Sequence, residues 1–229
     1  MAGADLPRRQ LHPAMARQPR PINNPVTGTS GTLIRTATLG LTVVAPAAGS
    51  TLISLSSLAN VTGIVTNGTT FAPVGLDGGL NGTGTAYSAS LLGGQQTLGG
   101  TTLYFGPAGA PDVLSGKTVP LPAGQFSTIR LLGTAVNGNQ TAQVFVVKYT
   151  DGTTTSFTQS LSDWFTPQNY AGETKVLSMP YRNTSSGVKD NRTFLLYGYS
   201  ITLNAAKKVS SITLPNNRNV VILAISLGA

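Results

Sequence analysis

Hydrophobic and polar residues alternate in short segments along most of the chain, which is the pattern of half-buried β-strands. In the clearest segment, residues 142–149, every second residue from Phe145 to Tyr149 is large and apolar. The sequence Thr150-Asp151-Gly152-Thr153 follows, and Asp-Gly is typical of hairpin turns because glycine tolerates a positive φ. A second alternating segment, 154–161, leads to Trp164, the only tryptophan. The pattern predicts a β-hairpin that brings one large aromatic side chain to the edge of a sandwich.

Similar segments recur on both sides of this hairpin, separated by Gly, Asn and Pro. The last of them, 219–227, is apolar on both faces, so it should lie inside a sheet whose two faces are covered. No helix longer than one or two turns is predicted. The other predicted strands are 33–44, 51–58, 60–65, 85–92, 101–105, 117–121, 127–136, 174–181, 193–203 and 209–214.

Composition supports an all-β fold. The chain has 229 residues, of which 27 are Gly and only 10% are charged, so strong helix formers are scarce. Cysteine is absent, which excludes disulfides, thiolate metal sites and cysteine nucleophiles. We therefore predict a single antiparallel, jelly-roll-like β-sandwich over 37–229, preceded by an extended Pro/Arg-rich arm over 1–36.

The arm differs from the rest of the chain in its prolines and its charge. Proline recurs every six residues at 7, 13, 19 and 25, which favours extended polyproline II geometry. Residues 1–36 hold five arginines and one aspartate, so they carry +4 of the formal net charge of +8. Either the arm docks on an acidic partner or it is a solubilising tail. The candidate docking residues are Arg8, Arg9, Arg17 and Arg20.

Nucleic acid and membrane are not favoured as partners. The arm has no aromatic residue to stack on bases, and the predicted sandwich has no dense basic stripe. No signal peptide is visible, because residues 1–30 lack an apolar segment. No stretch approaches the roughly 20 apolar residues of a membrane helix. An extracellular or virion-surface location is the expectation.

Several motifs resemble a β-sandwich module of secreted bacterial proteins that is appended to glycosidases, phosphatases and peptidases. The module is similar to galactose-binding-like jelly rolls, so the resemblance implies that fold and glycan binding. The chain departs from it in lacking a catalytic partner domain and in carrying the arm. The motifs lie between about 39 and 227: Gly75-Leu76-Asp77-Gly78-Gly79, Ala86-Tyr87-Ser88-Ala89, Val136-Asn137-Gly138-Asn139-Gln140, Tyr149-Thr150-Asp151-Gly152, Ser162-Asp163-Trp164, Lys189-Asp190-Asn191-Arg192, Leu196-Tyr197-Gly198-Tyr199 and Leu214-Pro215-Asn216-Asn217.

A set of charged and aromatic residues falls at predicted strand ends and loops. Sugar recognition needs an aromatic face for the C–H side of the ring and polar groups for its hydroxyls, and this set offers both. In the alternative interpretation, Asp163 pairs with Arg182 or Arg192 to fix the loops, and Trp164 is part of the core. The candidate glycan-binding residues are Asp163, Trp164, Arg182, Asp190, Arg192 and Tyr197, with Tyr181 beside them.

Catalysis is not expected. The only histidine, His12, lies in the arm, so a Ser-His-Asp triad inside the sandwich is excluded. A carboxylate pair for glycoside cleavage would have to come from only seven acidic residues, of which Asp5 lies in the arm, Asp151 belongs to a predicted turn and Glu173 stands alone. No cofactor is predicted, apart from a weak calcium candidate at Asp77 in a Gly-rich loop.

The sequence therefore favours a non-catalytic surface adhesion or decoration protein. In this hypothesis the arm anchors an oligomeric assembly on a virion or cell-surface lattice, and the sandwich faces outward and contacts glycans. The alternative is a secreted carbohydrate-binding accessory module of a polysaccharide-degrading system.

Overall fold

The computed structural model describes residues 22–30, 33–41 and 49–229, and the chain divides into two units, Met1–Ala45 and Pro46–Ala229. In the first unit, β1 (Ile22–Ser30) and β2 (Leu33–Leu41) form an antiparallel hairpin in which Ile22 faces Leu41. The predicted boundary between residues 36 and 37 thus falls inside β2. Arg8, Arg9, Arg17 and Arg20 lie outside the described residues, so their docking role stays a prediction.

The regular secondary structure of the second unit is almost entirely β-strand, which confirms the predicted all-β fold. Its only helical segments among the described residues are a short 3-10 turn, Leu80–Gly82, and one α-helical turn, α1 (Ala89–Leu92). Within those residues no helix is long and apolar enough to cross a membrane. The strands are β3 (Ser50–Ile53), β4 (Ile64–Val65), β5 (Thr85–Ser88), β6 (Gln95–Leu98), β7 (Thr101–Tyr104), β8 (Thr118–Pro120), β9 (Thr128–Ala135), β10 (Gln140–Tyr149), β11 (Thr154–Leu161), β12 (Glu173–Met179), β13 (Arg182–Thr184), β14 (Lys189–Asp190), β15 (Phe194–Thr202), β16 (Val209–Thr213) and β17 (Val220–Gly228).

The centre of the second unit is a five-stranded sheet in the order β12-β15-β9-β17-β3. One face packs on the four-stranded sheet β11-β10-β16-β8 through a core that includes Leu131, Phe145 and Ile212. The opposite face packs on a second core that includes Tyr87 and Trp164, covered by the small sheet β14-β13-β5-β4 and the hairpin β6-β7. The sandwich therefore has an additional layer on one side.

Strand β17 lies between β9 and β3, and all nine of its residues are buried. Ile222 and Ile225 belong to the first core, whereas Val221 and Leu223 belong to the second. A strand covered on both faces has no reason to alternate between apolar and polar residues. The prediction that 219–227 lies inside a covered sheet is thus confirmed.

The hairpin predicted around Asp151 is also present as β10 and β11. Gly152 has a φ of 86°, which an L-residue with a side chain rarely adopts. The Asp151 carboxylate accepts hydrogen bonds from the backbone N–H of Thr153, at 3.0 Å, and from its hydroxyl, at 2.6 Å. These bonds close the turn and lead β11 back along β10 towards Trp164.

The sequence pattern missed β6, β13 and β14 of the additional layer, because these strands are short and largely polar. Residues 182–192 lie between the predicted strands 174–181 and 193–203, but β13 and β14 pair there, with Arg182 opposite Asp190. The predicted strand 85–92 ends at Ser88, whose hydroxyl caps α1 by accepting a hydrogen bond from Leu91 N–H at 3.4 Å. In both places a local polar interaction replaces the hydrophobic alternation on which the prediction rested.

Candidate functional site

The structure brings five of the six candidate glycan-binding residues to one pocket with a volume of about 380 Å³. The pocket lies where β13 and β14 meet the segments that follow β11 and precede β15. We call it the Asp190 pocket. It is lined by Asp77, Leu80, Thr83, Thr85, Asn137, Asp163, Trp164, Phe165, Arg182, Thr184, Asp190, Arg192 and Phe194.

Asp190 holds two arginine side chains. Its carboxylate accepts a hydrogen bond from Arg182 Nε at 2.9 Å and from Arg192 Nε at 2.8 Å, and Arg192 Nη2 donates a further, short one. The hydrogen bonds from Arg192, followed by those from Arg182, lower the pKa of Asp190, so it stays an ionised acceptor. The expected pairing of Asp163 with an arginine is therefore wrong, because the cross-strand register places Arg182 opposite Asp190.

Aromatic rings also contact both guanidinium groups. The Arg182 guanidinium carbon lies 4.8 Å from the Trp164 ring centroid and 4.6 Å from that of Phe194. Arg192 lies 4.5 Å from the centroid of Phe165. At these distances the cation is attracted to the face of the ring. In the part of the chain that the structure describes, neither terminal nitrogen of Arg182 has a hydrogen-bond partner.

Asp163 organises the turn beneath the pocket. Its Oδ2 accepts a hydrogen bond from Gly138 N–H and its Oδ1 one from Phe165 N–H, both at 2.8 Å. Its own N–H donates to Asn139 Oδ1 at 2.8 Å. These bonds tie the start of the Trp164 segment to the turn between β9 and β10. In this turn Asn137 and Gly138 have positive φ angles of 58° and 103°.

The calcium candidate Asp77 also lies in the pocket, but its oxygen atoms are engaged. Oδ1 accepts hydrogen bonds from the N–H groups of Gly79 and Thr85, both at 3.2 Å, and Oδ2 accepts one from the Thr85 hydroxyl. Its carbonyl oxygen accepts one from Asn137 Nδ2 at 2.7 Å. Among the described residues no group of three or more His, Cys, Asp or Glu could hold a metal ion. The Asp77 carboxylate is thus engaged by N–H and O–H donors, and calcium binding there stays a prediction from the sequence.

Two of the aromatic candidates are not open to a ligand in the expected way. Trp164 is 2% exposed, packs edge-on against Tyr87 and is covered by Arg182, so the interpretation as a core residue is the correct one. Tyr197 is fully buried, does not line the pocket and donates its hydroxyl to the Asp163 carbonyl at 3.2 Å. Burial is also the main reason that the pKa of Tyr197 is raised.

The exposed aromatic residue of the pocket is Phe165, which is 41% exposed. Sequence reasoning missed it, along with Phe194 and Asn137. Phe165 directly follows Trp164, so its adjacency to the Ser162-Asp163-Trp164 motif was an available signal. Phe194 had no such signal, because it belongs to a continuous run of buried residues in β15.

A second cavity of about 360 Å³ lies between the start of the second unit and the segment after β7, and Asp112 is its buried carboxylate. Asp112 accepts hydrogen bonds from Gly63 N–H at 2.8 Å and Ile64 N–H at 3.2 Å. Burial raises the pKa of Asp112 to about 7, although both backbone bonds oppose this shift. The carboxylate thus links the segment before β4 to the segment before β8.

The raised pKa of Asp112 predicts that the free energy of unfolding depends on pH. Because its pKa is higher in the folded than in the unfolded chain, its contribution is complete below about pH 4 and is lost as the pH rises to about 7, by about 2–4 kcal/mol. Urea denaturation across this range should show that loss in the wild type and a flatter profile in Asp112→Asn. Equal profiles would contradict the assignment. The pKa of Asp151 is lowered to about 2, so its contribution to stability changes only below about pH 4, outside the range of this test.

Residues 65–229 match the family model of the AziU2-like beta-sandwich domain. The match includes every residue that lines the Asp190 pocket and most strands of both cores. No curated protein gives a significant match to the chain.

Proposed function

The chain belongs to the AziU2-like beta-sandwich domain family, and from this premise we propose that it is a non-catalytic adhesion or decoration protein that binds glycans through the Asp190 pocket. The family match supports the β-sandwich half of the resemblance seen in the sequence. Carbohydrate binding is our proposal. The observation that carries it is the pair of arginines fixed on Asp190 and against aromatic rings at the pocket.

The polar groups of the pocket suit a ligand with many hydroxyl groups. The Asp190 carboxylate stands beside the guanidinium groups of Arg182 and Arg192, and the carboxylates of Asp77 and Asp163 also line the pocket. Every sugar hydroxyl can both donate and accept, so it can use fixed acceptors and fixed donors side by side. A strongly anionic or cationic ligand would meet charges of its own sign here.

Rigidity is a second argument for binding. Each guanidinium is bound to a carboxylate and lies against a ring, so less side-chain entropy remains to be lost when a ligand binds. Phe165 adds an exposed aromatic surface beside these donors. The volume of about 380 Å³ is at the small end of ligand pockets, which favours a short glycan or the end of a longer one.

The proposal also includes that the Asp190 pocket does not catalyse a reaction. Both arginines lower the pKa of Asp190, which makes it a poor proton donor near neutral pH. Asp163 and Asp77 each accept hydrogen bonds from backbone N–H groups, which is the arrangement of structural carboxylates. The pocket therefore binds through prearranged hydrogen bonds.

Anchoring on a virion or cell-surface lattice depends on the N-terminal segment. The candidate docking residues Arg8, Arg9, Arg17 and Arg20 lie outside the described residues, so this part of the function stays a prediction from the sequence. Deletion of residues 1–21 separates the two hypotheses. Loss of assembly with retained glycan binding supports decoration, whereas binding without any assembly in the full chain supports the accessory module.

Glycan binding is tested on an array of immobilised neutral and acidic oligosaccharides, followed by calorimetry with the best sugar. Arg192→Lys keeps the charge but loses the planar fork, so we expect affinity to fall about tenfold. Phe165→Ala should weaken binding by a similar factor, because it removes the exposed ring beneath Arg192.

Two variants on the outer face of the four-stranded sheet serve as matched controls. Lys148→Ala removes an exposed cation and Val144→Ala an exposed apolar side chain, and neither residue lines the pocket. Both should bind the sugar like the wild type. No signal on the array for the wild type, or equal losses in the controls, would overturn the proposal.

A further inference from the structure

Tyr181 lies outside the Asp190 pocket, in a polar cluster that glycan binding does not use. The cluster consists of Asn67, Ser88, Ser90, Tyr181, Asn183 and Lys189. Tyr181 directly precedes β13, Ser88 ends β5, and Ser90 belongs to α1. Tyr181 is partly exposed, so a molecule in solution can reach its ring.

The hydrogen-bond network fixes the side-chain amide of Asn67. Its Oδ1 accepts hydrogen bonds from Ser88 Oγ at 2.7 Å and from Asn183 Nδ2 at 3.0 Å. The amide nitrogen must then lie on the opposite side, where it donates to Tyr181 Oη at 2.9 Å and to Ser90 Oγ at 2.8 Å. Asn183 is fully buried, which holds this orientation in place.

The amide of Asn67 is thus a fixed donor to the tyrosine oxygen, at 2.9 Å. Ser88 Oγ lies 3.4 Å from the same oxygen, and its one proton can turn to a phenolate only by leaving Asn67 Oδ1, which keeps the hydrogen bond from Asn183. Donors that face an oxygen stabilise its deprotonated form more than its protonated form. The arrangement favours a phenolate in the same way as an oxyanion site favours a negative oxygen.

The charges around Tyr181 act in the same direction. Lys189 Nζ, on β14, lies 4.2 Å from the ring centroid. Asp190 is the acidic residue of β13 and β14, and it is already paired with Arg182 and Arg192. Strands β4 and β5 and helix α1 contain no charged residue. Hydrogen bonds from Ser88 and Ser90, with smaller contributions from Asn67 and Lys189, lower the pKa of Tyr181 to about 8.

We propose that Tyr181 is a nucleophilic site that is acylated by activated esters. The phenolate oxygen attacks the carbonyl carbon of the ester, the new O–C bond forms, and the bond to the leaving alcohol breaks. The alcohol departs as its alkoxide or phenoxide, and the phenolic proton has already passed to water. Asn67 and Lys189 stabilise the attacking anion and are not consumed. The product is one stable aryl ester per chain, so the step is a modification and not a turnover.

The test exposes the full chain to 4-nitrophenyl acetate and maps the acetylated tyrosines by mass spectrometry. Tyr104 and Tyr170 are internal controls, because both are partly exposed and neither belongs to the cluster. At about pH 8 we expect Tyr181 to react about five to ten times faster than either, since its larger phenolate fraction outweighs its lower intrinsic nucleophilicity. Its rate should rise with a midpoint near pH 8.

Variants at exposed positions keep this test independent of folding. Tyr181→Phe should lose the fast acetylation entirely. Lys189→Gln should move the midpoint to higher pH, and Lys189→Arg should restore it, because arginine keeps the positive charge beside the ring. Equal acetylation rates at Tyr181, Tyr104 and Tyr170 would overturn the proposal. So would a pH midpoint for Tyr181 that is the same in the wild type and in Lys189→Gln. Neither result depends on whether the Asp190 pocket binds a sugar.

Discussion

Trp164→Ala is expected to lower the free energy of unfolding by about 3–5 kcal/mol, which is the usual cost of removing a large aromatic side chain from a core. Trp164 is 2% exposed, and its ring lies 5.1 Å from the centroids of both Tyr87 and Phe194. Its backbone also joins two strands, since its N–H donates to the Ala135 carbonyl and its carbonyl accepts from Leu195 N–H. Removal of the ring leaves a cavity that this fixed backbone cannot close.

The same substitution removes the surface on which Arg182 rests. We therefore expect glycan binding and stability to be lost together, and for this reason Trp164→Ala by itself says nothing about a direct contact with the ligand. Urea denaturation should give a smaller loss for Trp164→Phe, about 1–2 kcal/mol, because most of the buried volume is retained.

Phe165→Ala is the matched control for this prediction. Phe165 is the next residue in the chain, but it is 41% exposed, so its removal should change the free energy of unfolding by less than about 1 kcal/mol. Equal losses at 164 and 165 would mean that the burial of the tryptophan is not what stabilises this region.

The parts of the fold that could be predicted are those that depend on local chemistry. The Asp151 turn needs only a glycine with positive φ and a carboxylate that caps it, and both are visible in four consecutive residues. Strand β17 is recognisable because nine consecutive buried positions leave no polar face. Neither feature requires knowledge of what packs against it.

Strands β13 and β14 of the additional layer could not be predicted in the same way. Strands β13 and β14 have three and two residues, which is too short to show alternation. They exist because β13 also pairs with β5, about 100 positions earlier in the sequence, with Asn183 opposite Ala86. Such a pairing depends on the tertiary fold, and no local pattern reports it.

The candidate site, like the fold, could be predicted from the sequence only where local features were enough. Charged residues make up only 10% of the chain, so Arg182, Asp190 and Arg192 were noticeable as a group near the only tryptophan. Which carboxylate holds the arginines depends on strand register, and the sequence alone suggested Asp163. The exposure of Tyr197 was also misjudged, because β15 is buried on both faces from Phe194 to Tyr199 and alternation cannot distinguish an open face from a covered one.

Gly79→Ala is the substitution outside the core for which we expect the largest loss of stability, about 2–5 kcal/mol. Gly79 has a φ of 76°, and a side-chain carbon there would collide with the carbonyl oxygen of Pro73. The Pro73 carbonyl carbon, at 3.1 Å, and Val74 Cα, at 3.3 Å, close the remaining space. Because these are backbone atoms, only a shift of the whole loop can relieve the collision.

The adjacent glycine provides a control with the same backbone strain. Gly78 has a φ of 77°, but a side-chain carbon there would meet nothing within 4 Å. Gly78→Ala should therefore cost only the strain of the left-handed conformation, about 1–2 kcal/mol. The difference between the two variants in urea denaturation measures the collision with Pro73 alone, and equal losses would show that the loop yields to it.

The consequence for the Asp190 pocket follows from the hydrogen bond that Gly79 N–H donates to Asp77 Oδ1 at 3.2 Å. A loop displaced by Gly79→Ala loses this bond and moves a carboxylate that lines the pocket, whereas Gly78→Ala leaves it in place. We therefore expect Gly79→Ala to reduce sugar affinity in the folded protein and Gly78→Ala to keep it. Unchanged affinity in a destabilised Gly79→Ala protein would show that Asp77 fixes the loop without contributing to binding.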